Sequence, residues 1–215
     1  MGKIVLATII ISGSAKWLLK VGGNKEKWYG SDRIFMYVMT VFGAMTVNYS
    51  EQCTEYGWVV SNLRLLAGCL LAGGLLSAAY MDRRNCWVYN YVWWWCLPWA
   101  GILGMTAGGE FSGIVAVLVF VMLQQLLFSR MYGKADCHAF SVCALAECGN
   151  AVGMVGFLLQ MFLSVVLLTI VQLFRGNVTP RGRLREPQPF IPYIITAFFS
   201  VTFLESVFRK TYIYA

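Results

Sequence analysis

Two aspartates are placed to do chemistry together. Asp82 opens the run Asp82-Arg83-Arg84 behind one apolar segment, and Asp136 closes the run Arg130-Met131-Tyr132-Gly133-Lys134-Ala135-Asp136 ahead of another. A carboxylate at a membrane boundary is costly to hold, so each is a functional candidate by default. Two carboxyls that meet can share one proton. The ionised member then takes a proton from water while the protonated member polarises a carbonyl. Such hydrolysis needs no metal and no covalent intermediate, and no cofactor is expected.

The elements that must bring the two acids together belong to a membrane protein. The 215 residues are 59% hydrophobic and 13% charged, and the mean hydropathy is +0.64. These values lie far from those of a soluble domain, and the apolar stretches approach the roughly 20 residues that cross a bilayer. One integral membrane domain, residues 1–215, is expected, an all-α polytopic helix bundle. The net charge of +7 falls in short loops, as the positive-inside rule produces, so no nucleic-acid partner is expected.

Seven cysteines (Cys53, Cys69, Cys86, Cys96, Cys137, Cys143 and Cys148) contain no C-x-x-C pair. Most sit inside apolar segments, where cysteine packs as a small hydrophobe. His138 is the single histidine, so no multi-histidine metal site is expected. Ile4 to Ile11 is apolar, but no small-residue cleavage site follows, so no cleavable signal peptide is expected.

About eight spans emerge: 4–19, 34–47, 63–80, 87–105, 111–128, 136–148, 151–174 and 190–208, with the first and sixth short. The stretch holding Lys16, Lys20, Lys25, Lys27 and Arg33 is basic, while that around Glu51 and Glu55 is acidic. Alternation puts the Asp82, Asp136 and Arg181-to-Arg185 loops on one basic, cytoplasmic face, with both termini outside. Glu51, Glu55, Glu110 and Glu147 then lie on or near the outer side, and Arg64 is expected to snorkel there. Gln124 and Gln125 suit interhelical hydrogen bonds. Gly68, Gly73 and Gly74, with Gly149, Gly153 and Gly156, allow close helix approach. Asp136 begins a helix and Asp82 ends one, so the helix dipoles make Asp136 the expected base and Asp82 the acid.

The motif Gly133-Lys134-Ala135-Asp136 resembles the G-x-G-D signature of the type IV prepilin peptidases, which are membrane aspartic proteases. Asp82 resembles the first aspartate of the short members that serve tight-adherence (Tad-type) pili. There an aspartate is followed by basic residues, an aliphatic residue, a proline and an asparagine; Val88 and Asn90 match those offsets. Glu186-Pro187-Gln188-Pro189-Phe190-Ile191-Pro192-Tyr193 resembles the family's proline-containing lead into its last helix. Ala135 stands in place of the second glycine, Tyr89 in place of the proline, and His138 where a lysine is common. Presenilin-type relatives fit less well, because their Tyr-Asp pair and Pro-Ala-Leu segment are missing.

The resemblance implies catalytic Asp82 and Asp136, supported by Gly133, Lys134, Ala135 and Asn90. It implies an endopeptidase of the cell (inner) membrane that removes the basic leader of a prepilin-like substrate at the cytoplasmic face, cutting after a glycine. Larger members also N-methylate the product and carry a cytoplasmic loop with two C-x-x-C pairs. Val21 to Arg33 has no cysteine, which points to a peptidase-only form. The competing expectations are a small transporter or channel whose Asp82 and Asp136 bind a cation or protons, and an inactive relative that binds leaders without cutting.

Overall fold

The computed structural model describes residues 2–23, 30–52, 57–108, 111–130, 133–148, 153–175 and 188–213, and every regular element among them is helical. The helices are α1 (Gly2–Val21), α2 (Gly30–Gln52), α3 (Trp58–Asn85), α4 (Asn90–Thr106), α5 (Phe111–Leu126), α6 (Lys134–Glu147), α7 (Gly153–Phe174) and α8 (Ile191–Ile213). A 3-10 turn, Phe128–Arg130, follows α5. Among the described residues four stretches are long and apolar enough to cross a bilayer: Gly2–Val21, Trp58–Asn85, Val155–Phe174 and Ile191–Phe208.

The first helix is not short, as its sequence suggested. It runs through Lys16 for 20 residues, because Lys16 lies on the exposed side and its charge is never buried. The sixth is short as expected: 14 residues rise about 21 Å, less than the roughly 30 Å of a hydrocarbon core.

Two helices lie inside. α3 packs against α1, α2, α4 and α8, and its glycines explain how. A side chain at Gly73 would strike Ser14 and the Ile11 carbonyl, one at Gly74 would strike Cys96 and Trp95, and one at Gly68 would strike Val47. These glycines seat α3 on α1, α4 and α2, not on the helix that carries Asp136. α6 is the second inner helix, contacted by α4, α5, α7 and α8. Its residues Ala139, Phe140, Val142, Cys143 and Ala144 are buried, and Gly104 of α4 abuts the Leu145 carbonyl. Cys69 and Cys96 are also buried in the core, consistent with cysteine as a packing residue; Cys53 lies outside the described residues.

Large apolar side chains face outward around the bundle, among them Leu6, Ile9, Val38, Leu158 and Phe162. So much exposed apolar surface suits a lipid environment. Several interior hydroxyls are answered locally. Thr46, Thr196 and Thr202 each donate to the carbonyl four residues back, as hydroxyls do where no water reaches. Gln125 donates to Ser141 Oγ at 3.1 Å and lies 3.3 Å from His138 Nδ1, and Gln124 reaches Met161 Sδ. The pair therefore ties α5 to α6 and α7, as expected.

Arg64 corrects its expectation. It is buried, not snorkelling, and its Nη1 donates to the Leu103 carbonyl at 3.0 Å and to Thr106 Oγ1 at 2.9 Å. The last turn of α4 leaves carbonyls without helical partners, and the guanidinium fills that need. Glu147 is buried, at 1% exposure, with its Oε1 2.7 Å from Thr202 Oγ1.

Candidate active site

Asp82 sits in the last turn of α3 and is only 6% exposed. Its Oδ2 accepts the backbone N–H of Ile191 at 3.0 Å. Ile191 opens α8 and is followed by Pro192, which has no N–H, while Tyr193 donates to the Phe190 carbonyl. The Asp82 carboxyl thus takes up a donor that α8 would otherwise leave unsatisfied. The positive end of that helix dipole favours its anion.

The arginines behind Asp82 are turned elsewhere. Arg83 Nε lies 3.3 Å from Asp32 Oδ1, and its guanidinium stacks over Phe35 with the ring centroid 5.0 Å away. Asp32 and Phe35 are one turn apart on α2, so a single face of α2 receives Arg83. Arg84 folds back on its own helix, donating to Tyr80 Oη at 3.1 Å. Asp82 is therefore a buried, helix-bound carboxyl.

α3 ends just beyond it in a left-handed cap. Cys86 holds φ +49°, and its N–H donates to the Asp82 carbonyl at 2.8 Å. Tyr89, just before α4, has φ −74° and ψ 141°, in the range that proline adopts. A proline would fit the backbone at that position. Asn90 begins α4 and is exposed; it has no hydrogen bond to either aspartate.

Asp136 occupies the first turn of α6, outside the four spans. Gly133 precedes the helix at φ −64° and donates its N–H to Asp136 Oδ2 at 3.2 Å. This is the back-reaching half of a capping box. Lys134 is exposed, and Ala135 lies inside the helix with negative φ. The alanine in the motif is consequently unstrained, since nothing here requires a left-handed residue.

Burial, and then the charge of Asp82, push the Asp136 carboxyl up to about 7, against the Gly133 amide that lowers it. The carboxyls of α3 and α6 therefore act on each other at the same end of the bundle, although no hydrogen bond joins them directly. Asp82 is set between two opposing helix ends: the C-terminus of α3 favours its neutral form and the N-terminus of α8 its anion.

Asp32 and the first amide of α8 were not singled out in the sequence. Asp32 had a weak signal, an acid in the first turn of a helix bordered by basic residues. The Ile191 amide had none, because its partner lies 109 residues away. Arg181, Arg183 and Arg185, with Glu51, Glu55 and Glu110, lie on side chains outside the described ones. No family model, curated protein or solved structure matches this chain.

Proposed function

We propose that the chain is a membrane aspartic endopeptidase of the type IV prepilin peptidase kind, resembling the short Tad-type members. The observation that carries this reading is that Asp82 and Asp136 stand close enough to bear on each other's charge. They come from separate inner helices to one end of the bundle, and the charge of one bears on the proton of the other.

In this reading Asp82 is the base and Asp136 the acid. Asp82 takes a proton from water, and the resulting hydroxide adds to the scissile carbonyl carbon. Asp136 gives its proton to the carbonyl oxygen, forming a neutral tetrahedral diol. Collapse breaks the C–N bond: the proton on Asp82 passes to the leaving amine, and the hydroxyl proton returns to Asp136. Both carboxyls end as they began, and the hydrolysis balances with water alone.

The finer assignments belong to the same proposal. The chain crosses the inner membrane about eight times with both termini outside, and the aspartates face the cytoplasm. The substrate is a prepilin-like protein whose basic leader is cut after a glycine, and the new amino terminus stays unmethylated. Gly133, Ala135 and the extended segment before Asn90 position the acids; Lys134 and Asn90 remain solvent-facing. The test is mass spectrometry of a leader-bearing prepilin incubated with the purified protein and a methyl donor. Loss of the leader without a methyl gain supports the reading, and an intact prepilin contradicts it.

One observation favours a second reading. Glu147, buried between α6 and α8 against Thr202, suits proton or cation passage through the bundle, since intramembrane acids often serve this. Ion-dependent flux in proteoliposomes that is lost with Glu147→Gln, together with an uncut prepilin, is the outcome that reading requires.

A further inference from the structure

A groove of about 370 Å³ runs between α1 and α2 on the outside of the bundle. Its walls are two helical stripes. Thr8, Ser12 and Lys16 follow at four-residue intervals on α1, and Arg33, Tyr37 and Val41 do the same on α2. The helices are antiparallel neighbours, so Lys16 near the end of α1 and Arg33 near the start of α2 share one mouth. From that mouth the groove extends roughly 12 Å along the helix axes, eight residues at 1.5 Å each.

The mouth and the body differ in what they ask of a ligand. Thr8 Oγ1 donates to the Ile4 carbonyl at 2.8 Å and Ser12 Oγ to the Ile9 carbonyl at 3.1 Å. Those hydroxyls are thus already served, and the body offers mainly carbon. Among the described residues no carboxylate lines the groove. Asp32, next to Arg33 in the chain, is engaged by Arg83. Two cations therefore stand at the end of an apolar slot whose described walls carry no counter-charge. Tyr37 beside them is 72% exposed and Trp17 53% exposed, as aromatic residues are at a membrane–water boundary.

We infer that this groove binds an anionic phospholipid of the bilayer, with the phosphodiester between Lys16 and Arg33 and an acyl chain along the α1–α2 slot. Basic pockets between membrane helices take such headgroups, and arginine suits the phosphate as a planar, multi-donor partner. A free phosphate would answer the mouth and leave the slot empty, whereas a lipid answers both. The site is separate from the aspartates and does not depend on their role.

The test uses native mass spectrometry of the purified full chain with equal amounts of phosphatidylglycerol and phosphatidylcholine. Phosphatidylglycerol is expected to be retained roughly ten-fold better, from two cations near one headgroup. Lys16→Gln with Arg33→Gln should bring that ratio close to one. Ser12→Phe, which keeps both charges and fills the slot, should also lower retention. Millimolar inorganic phosphate should leave the bound lipid in place. Equal retention of the two lipids, or displacement by inorganic phosphate, overturns the inference. Should the double variant fail to insert, the Ser12→Phe arm decides: undiminished retention means general surface charge and no groove.

Discussion

The backbone N–H of Ile191 donates to Asp82 Oδ2 at 3.0 Å, so the buried acid at the end of α3 also holds the start of α8. A structural role and the proposed chemical one thus fall on one side chain, and substitutions can separate them.

Asp82→Asn keeps an oxygen that can accept the Ile191 amide, whereas Asp82→Ala does not. The alanine variant should lose about 1–2 kcal/mol, the usual effect of removing a helix-end acceptor. The asparagine variant should unfold close to wild type. Thermal unfolding in one detergent checks both. Equal destabilisation by the two changes would mean that the amide bond is not what Asp82 supplies.

The Asp136 carboxyl, held up to about 7 by burial and by the Asp82 charge, makes stability depend on pH. Its ordinary value is 3.8, so between about 4 and 7 the unfolded chain has released this proton while the folded chain keeps it. Folding therefore favours the protonated form, and this contribution is largest at low pH and fades as pH rises through 7. In the proposed mechanism Asp136 must hold its proton, so activity falls as pH rises through about 7. Asp136→Asn should flatten the stability slope between about pH 4 and 7; an unchanged slope would place the titration elsewhere.

Helix seating can be tested at two glycines of α1 and α3. A Cβ at Gly73 would lie 2.9 Å from the Ile11 carbonyl oxygen and 3.0 Å from Ser14 Cβ, while Gly13 faces open space. Gly73→Ala should cost about 1–3 kcal/mol through overpacking. Gly13→Ala should gain roughly 0.5–1 kcal/mol by restricting the unfolded chain. Paired unfolding curves measure the contrast, and a harmless Gly73→Ala would contradict the α1–α3 contact.

Tyr89→Pro should be tolerated within about 1 kcal/mol, because φ is already −74° and ψ 141°. A collapse of expression or of the unfolding temperature would show that the Tyr89 ring, stacked on Tyr91 at 5.9 Å, matters more than the backbone shape.

Much of this architecture is legible in the sequence because lipid enforces it. Each apolar stretch became a helix, since a backbone in hydrocarbon must satisfy itself. Both aspartates stand at helix ends because basic residues mark where the chain meets water. What stayed hidden depends on pairing across the bundle. Arg64 looks like a snorkelling cation until the open carbonyls of α4 are beside it. Asp32 looks like part of a basic loop until Arg83 reaches it. The glycines of α3 announce close packing but not which neighbour they serve. The α8 amide on Asp82 stayed hidden for the same reason: the dipole of α3 is local, and that amide is not.

The central claim is that Asp82 and Asp136 form one hydrolytic pair. Its most direct measurement is cleavage of a leader-bearing prepilin in nanodiscs, with no ion gradient, by wild type, Asp82→Asn and Asp136→Asn at matched folded fractions. The account predicts leader removal by wild type and loss of at least about a hundred-fold in each variant, the range for removing a general acid or base. Near-normal cleavage by either variant, or none by folded wild type, would contradict it.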